Sequence, residues 1–200
     1  MKNHGPSGCL RALVSLYFLL SALFCCVQGW AGDISHGEAD RYGMGVTVGN
    51  SYTPQNDISF MALSGFTLFD YGKVWRRKAP EALRFKLEAG LGSTTRPEKK
   101  LITSANMFAL YYIRNFGLGS FRPYVEGGIG AIYTDFQVDG QGSRVNFNPQ
   151  IGVGAEFNVD PDTTLFLALR LHHISNGGLN KDNTGINSVT LTLGRFFGMD

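Results

Sequence analysis

The sequence predicts an all-β fold, an eight-stranded antiparallel barrel that crosses a membrane with its strands. Three observations predict it. Eight segments of about ten residues or more set apolar positions against polar or glycine ones, and a tilted strand of about 9 to 11 residues is what a bilayer requires. Stretches rich in Gly, Asn, Asp and Pro separate the segments, as turns do. The polar positions carry glycine and charges of both signs, which suits a narrow lumen filled by side chains better than a face washed by water. With 26 glycines and 12% aromatic residues, the 200-residue chain is β-rich in composition and has room for one domain.

The chain opens on Lys2 and Arg11, an apolar run from Ala12 to Val27, and small residues around Gly29 and Ala31. That layout predicts a secretory signal peptide over 1–30, cleaved near Gly29 or Ala31, with the barrel domain over 31–200. Removing Lys2 and Arg11 takes the 18 basic residues to 16, equal to the 16 acidic ones. No basic footprint for nucleic acid remains. Cys9, Cys25 and Cys26, the 3 cysteines of the chain, all fall in the leader. The exported part is therefore expected to be held by a closed sheet and not by disulfides. A polar lead-in with His36 follows, read as an exposed tail.

The first two strands are expected at about Gly43 to Tyr52 and Asp57 to Phe69. The third, Glu81 to Ser93, alternates cleanly, with Leu83, Phe85, Leu87, Ala89 and Leu91 on one face and Arg84, Lys86 and Glu88 on the other. The fourth runs about Ser104 to Asn115 and the fifth about Phe121 to Phe136. The sixth, Arg144 to Asn158, sets Val145, Phe147, Ile151, Val153 and Phe157 against Asn146, Asn148, Gln150 and Glu156. Thr163 to Ser175 and Asn187 to Phe197 complete the eight.

Apolar faces are assigned to lipid and polar faces to the lumen, where Arg84, Lys86, Glu88, Glu126, Glu156 and Arg170 are expected to neutralise one another. Tyr111, Tyr133, Phe157 and Phe197 are expected in the interfacial girdles. Connections alternate in length: NFGLGS and NVDPDTT are tight, whereas STTRPEKKLI, VDGQGSR and NGGLNKDNTGI are longer and polar. Short periplasmic turns and longer outer loops are the habit of barrels in the bacterial outer membrane.

Chemistry concentrates between Leu165 and Asn187. Leu165, Leu167, Leu169 and Leu171 share one strand face, and His173 and Ser175 continue it. Odd-numbered strands run outward, so this pair is expected on the lipid-facing wall near the outer leaflet. His172 has the opposite parity and is expected in the lumen beside a carboxylate. Asn187 shares the parity of Val189, Leu191 and Leu193, and a hairpin symmetric about Lys181 sets it opposite Ser175 and diagonal to His173. A serine attacks only when a base takes its proton, and a histidine base needs a third group to orient it. The catalytic reading is therefore Ser175 as nucleophile, His173 as base and Asn187 as orienter. Backbone amides in the turn Asn176, Gly177 and Gly178 would meet an oxyanion. The plain alternative is a polar pair standing above the hydrocarbon boundary.

The segment HHISNGGLNKDNTGINS, on the last hairpin of an exported eight-stranded barrel, resembles the PagL family of lipid A 3-O-deacylases of Gram-negative outer membranes. The family's H-x-S-N motif matches His173, Ser175 and Asn176. The resemblance implies hydrolysis of the ester-linked 3-hydroxyacyl chain at the 3-position of lipid A, with no metal or cofactor. Its implied partners are lipopolysaccharide as substrate and outer-membrane lipids as surroundings, and a homodimer is compatible. One position departs: Asn187 stands where the family's type member has a glutamate. Papain-like triads use asparagine there, and the outer-membrane phospholipase A family pairs an H-x-S with asparagine on a larger barrel. A non-enzymatic barrel for adhesion or envelope integrity and a phospholipase are the competing readings. Arg96, Lys99, Lys100 and Lys181 fall on outer loops, placed to meet lipid A phosphates or water. Asp182 is read as a solvated turn residue and as the nearest substitute acid.

Overall fold

The computed structural model describes residues 41–55, 57–116, 119–160 and 163–197. The signal peptide, its cleavage site and His36 lie outside the described residues.

The elements are β1 (Arg41–Thr53), β2 (Ser59–Asp70), a short helix α1 (Tyr71–Trp75), β3 (Leu83–Arg96), β4 (Leu101–Tyr112), a 3-10 turn (Arg114–Phe116), β5 (Phe121–Thr134), β6 (Val145–Phe147), β7 (Gln150–Asp160), β8 (Thr163–Ile174) and β9 (Ile186–Phe197). Neighbours pair antiparallel throughout, and β1 pairs with β9 to close the sheet. β6 and β7 keep one register on β5, with Phe147 opposite Ala131 and Gln150 opposite Gly128, so together they form a single stave of an eight-stave barrel. The interruption falls at Pro149, which has no N–H to give the ladder.

The two faces divide as alternation dictates. Leu63, Leu91, Ile151 and Leu193 on the outer wall are 58% to 67% exposed. In water such a belt would be a sticking surface. Hydrocarbon is its fitting solvent, and a closed sheet leaves no open edge there to strand backbone polar groups. The chain is a barrel of the outer-membrane type.

The interior is layered. Phe66, Leu68, Phe108, Leu110, Tyr124, Phe166, Ala168 and Phe196 pack together toward the end where β1 begins and β9 stops. Above them lies an ion network: Lys86 reaches Glu126 at 2.9 Å and Glu88 at 3.4 Å, and Arg170 reaches the same two at 2.7 and 3.1 Å. Ile102, Ile132, Ile174 and Ile186 close the lumen at the opposite end, directly behind the last hairpin.

Several expectations change here. Arg84 joins Asp70 at 3.4 Å, a partner outside the expected set. Glu156 is neutralised instead by Arg41 at 2.6 Å and Arg122 at 3.1 Å. Tyr133 is only 6% exposed and its hydroxyl meets Asp135 at 3.3 Å, so it is no girdle residue, whereas Tyr111, Phe157 and Phe197 are exposed. His172 lies in the lumen, but against the Phe60 ring, 6.0 Å between centroids. Among the described residues neither of its ring nitrogens has a hydrogen-bond partner, because Glu88 and Glu126 are held by Arg170 and Lys86.

Loop lengths also differ from expectation. β3 and β4 run on to leave only 97–100 at their tip, where the Thr94 hydroxyl takes the Lys100 N–H at 2.8 Å and gives its own proton to the Glu98 carbonyl. The longest connection between described strands, 71–82, is at the end where β1 begins and carries α1. Asp70 caps that helix, its carboxylate accepting the Lys73 N–H at 3.0 Å.

Candidate active site

On β8, Leu167, Leu169 and Leu171 are exposed while Phe166, Ala168, Arg170, His172 and Ile174 are buried, so the alternation reaches His173 unbroken and sets it on the outer wall. The His173 backbone donates to the Pro149 carbonyl at 3.0 Å. Its main chain thus faces the sixth stave, and its pairing with β9 is of the non-hydrogen-bonded kind, where Cα atoms stand about 4.5 Å apart and side chains meet. The β9 residue directly opposite is Asn187.

That placement corrects the hairpin register. The pairs His173 with Asn187 and Ile174 with Ile186 centre the hairpin on Asn180, so Asn187 faces His173 squarely and not Ser175. Asn187 Oδ1 lies 2.6 Å from His173 Nδ1. An amide oxygen only accepts, so Nδ1 carries the proton and Nε2 keeps its lone pair. The other end of the amide is also held: Asn187 Nδ2 donates to Thr53 Oγ1 on β1 at 2.7 Å.

Ser175 stands one residue past β8, its backbone paired with Phe147 through bonds of 2.8 and 3.2 Å. It is two positions from His173 on the same outer face. Among the described residues Ser175 Oγ has no hydrogen-bond partner, so the hydroxyl is not yet joined to Nε2. Catalytic hydrogen bonds commonly tighten only around a substrate.

The turn after Ser175 is folded around Asn176, which is 2% exposed. Its amide nitrogen donates to the carbonyls of Gln141 at 3.0 Å and Asp182 at 2.7 Å, and its oxygen accepts from the backbone N–H groups of Gly178 at 3.0 Å and Asn180 at 3.4 Å. Its own N–H goes to Asn183 Oδ1 at 2.8 Å. The Asn176 and Gly178 amides assigned to an oxyanion are therefore engaged within the turn, and Gly177 N–H is the one of the three with no partner among the described residues. Asp182 contributes its carbonyl while its side chain stays exposed.

The connection 135–144 buttresses this turn. Thr184 N–H donates to Gly140 O at 2.7 Å and Asn180 Nδ2 to Gly142 O at 2.8 Å. Gly142 has φ 73°, and a Cβ there would fall 2.2 Å from Asp182 O. Only glycine allows both the backbone angle and the approach. Below the imidazole, Tyr52, Pro149, Ile151, Leu171, His173 and Asn187 line a shallow cleft of about 250 Å³ on the outer wall.

The family model described as Lipid A 3-O-deacylase (PagL) matches residues 61–195. This chain belongs to the PagL family. Lipid A deacylase PagL of Pseudomonas aeruginosa is 29% identical to it over 126 residues, covering 62% of this chain and 70% of that one. The crystal structure of the outer membrane enzyme PagL superposes with a TM-score of 0.54 at 24% identity, over 76% of this chain and 97% of that one. Neisserial surface protein A has a similar barrel, with a TM-score of 0.59 at 12% identity over 80% of this chain and 96% of that chain.

Three parts of the site in this PagL-family chain escaped sequence reasoning. Thr53 is 134 positions from Asn187 and reaches it only through barrel closure. Gly185 lies against the catalytic candidate, since a Cβ there would sit 2.6 Å from His173 Cε1 and 3.2 Å from Nε2. Pro149, opposite His173, was the one with a visible signal, because a proline inside a strand pattern marks a place where the ladder breaks. Of the basic outer-loop residues, Arg96 holds Ser59 Oγ at 2.8 Å and Lys100 pairs with Glu98 at 3.3 Å.

Proposed function

We propose that this chain is a lipid A 3-O-deacylase that releases the ester-linked 3-hydroxyacyl chain at the 3-position. In this reading Ser175 is the nucleophile, His173 the general base and Asn187 the orienter. The observation that carries it is the 2.6 Å contact between His173 Nδ1 and Asn187 Oδ1 on the lipid-facing wall, in a chain of the PagL family. It holds the imidazole in the tautomer that can deprotonate a hydroxyl. The end of the barrel bearing 175–185 faces outward, and the mature protein begins after a signal peptide cleaved near Gly29 or Ala31.

His173 Nε2 takes the Ser175 proton as Oγ attacks the ester carbonyl carbon. The oxyanion forms beside the turn at Asn176–Gly178, where the Gly177 N–H is ready to donate and the Gly178 N–H would exchange Asn176 Oδ1 for it. Collapse expels the sugar oxygen, which receives the proton from His173, and water then cleaves the acyl-serine by the same relay. The acyl chain carried by Ser175 would lie along Ile151 and Leu171 in the cleft.

Mass spectrometry of lipid A from cells with and without the protein tests this. The expected change is loss of one 3-hydroxyacyl chain. An unchanged acyl pattern with folded protein in the membrane overturns the proposal, and loss of acyl chains from phosphatidylethanolamine instead would make the enzyme a phospholipase. A second expectation concerns Gly185. Gly185→Ala places a methyl group 2.6 Å from His173 Cε1, and the ring must swing away. A displacement near 1 Å costs about 100-fold in rate. The deacylation rate should fall by that factor while the heat-dependent gel mobility of the folded barrel is unchanged.

A further inference from the structure

We infer that Thr53 is a positioning residue for this reaction, accepting the Asn187 Nδ2–H so that the amide keeps its oxygen on His173 as the imidazole becomes charged. The inference rests on the triad proposed above. A carboxylate orienter offers the imidazole an acceptor whichever way it turns. An amide does not, because one end accepts and the other donates. Turned over, Asn187 would present Nδ2 to Nδ1 and impose the wrong tautomer, the error for which Asp→Asn in a serine protease costs about 10⁴ in turnover. A triad built on asparagine needs an outside group to hold the amide.

Thr53 Oγ1 is that group, 2.7 Å from Nδ2. Its presence on the outer wall is not automatic. Ser51 is buried and faces Ser188, and one residue per step would turn Thr53 to the lumen as well. The register of β1 on β9 instead shifts between Ser51 and Thr53, so that Tyr52 is the extra residue and Thr53 comes to face Asn187. Bulges re-aim side chains in this way and are frequent beside active sites.

A hydroxyl can donate or accept, so its effect is largest when His173 takes the serine proton. Nδ1–H must then donate to Oδ1, Nδ2 must find an acceptor on its far side, and Thr53 Oγ1 supplies it. The support therefore grows toward the transition state and acts on kcat more than on KM.

A double-mutant cycle tests the assignment. Thr53→Val keeps the shape and removes the acceptor; kcat should fall about tenfold, in keeping with one neutral hydrogen bond, with KM unchanged. Thr53→Ser should restore kcat to within about twofold. In the Asn187→Asp background, where both ends accept, Thr53→Val should change kcat by no more than about twofold. Equal losses in both backgrounds, a serine variant as poor as the valine one, or no loss at all would overturn the inference. Nitrogen-15 NMR of the His173 imidazole in detergent micelles gives a readout without turnover. The wild-type ring should be the Nδ1–H tautomer, which leaves Oδ1 on His173 and Nδ2 on Thr53; an Nε2–H ring in the wild type would also overturn it. A wild-type protein with that tautomer but no acyl release would sink the proposed reaction and leave the role of Thr53 standing.

Discussion

Replacing Ser175 with alanine is expected to abolish lipid A deacylation, a fall of about 10⁴ or more, while the barrel folds as before. Its ladder contacts with Phe147 run through its own N–H and carbonyl, at 3.2 and 2.8 Å, and survive loss of the hydroxyl. Oγ has no partner among the described residues, so its removal orphans no buried group. Lipid A mass spectrometry should return the untreated acyl pattern, and gel mobility should still show a folded band. Adding His173→Ala to Ser175→Ala should cost nothing further, because residues that act as one unit do not add. Residual deacylation by the Ser175→Ala protein would mean that another group attacks the ester.

Arg170→Met is expected to produce the largest loss of stability. Arg170 sits in the lumen at 2% exposure, holds Glu126 at 2.7 Å and Glu88 at 3.1 Å, and stacks over Phe108 at 4.5 Å. Methionine keeps most of the volume and removes the charge. Lys86 is then left facing two carboxylates in a space that excludes water, and breaking such a buried cluster costs about 3 to 5 kcal/mol. Urea titration of the folded band should show a lower midpoint, and Glu88→Gln added to Arg170→Met should recover much of the loss. A midpoint unmoved by Arg170→Met would show that the lumen is wet enough to screen the pair.

Fold and face were legible because lipid and lumen impose opposite demands on successive residues. Leu167, Leu169 and Leu171 could face only hydrocarbon, and Arg170 and His172 only the interior, so the side on which His173 and Ser175 emerge was readable from parity alone. Register was not. The centre of an eleven-residue turn depends on how the turn folds, and here Asn176 is clasped by the Gln141 carbonyl from a different connection. Nothing within 175–185 announces that clasp. The bulge at Tyr52 was equally hidden, since β1 alternates up to it. His172 misled for an energetic reason: a buried imidazole suggests a carboxylate partner, but the guanidinium two residues earlier had already taken both.

The bond from Asn187 to Thr53 links the last strand to the first. It forms only where the two ends of the sheet meet, so it depends on closure of the barrel. The His173–Asn187 contact lies within the β8–β9 hairpin, whereas the contact that holds the other end of the amide crosses the β1–β9 seam. Closing the wall and fixing the far side of the proposed orienter are thus one structural condition.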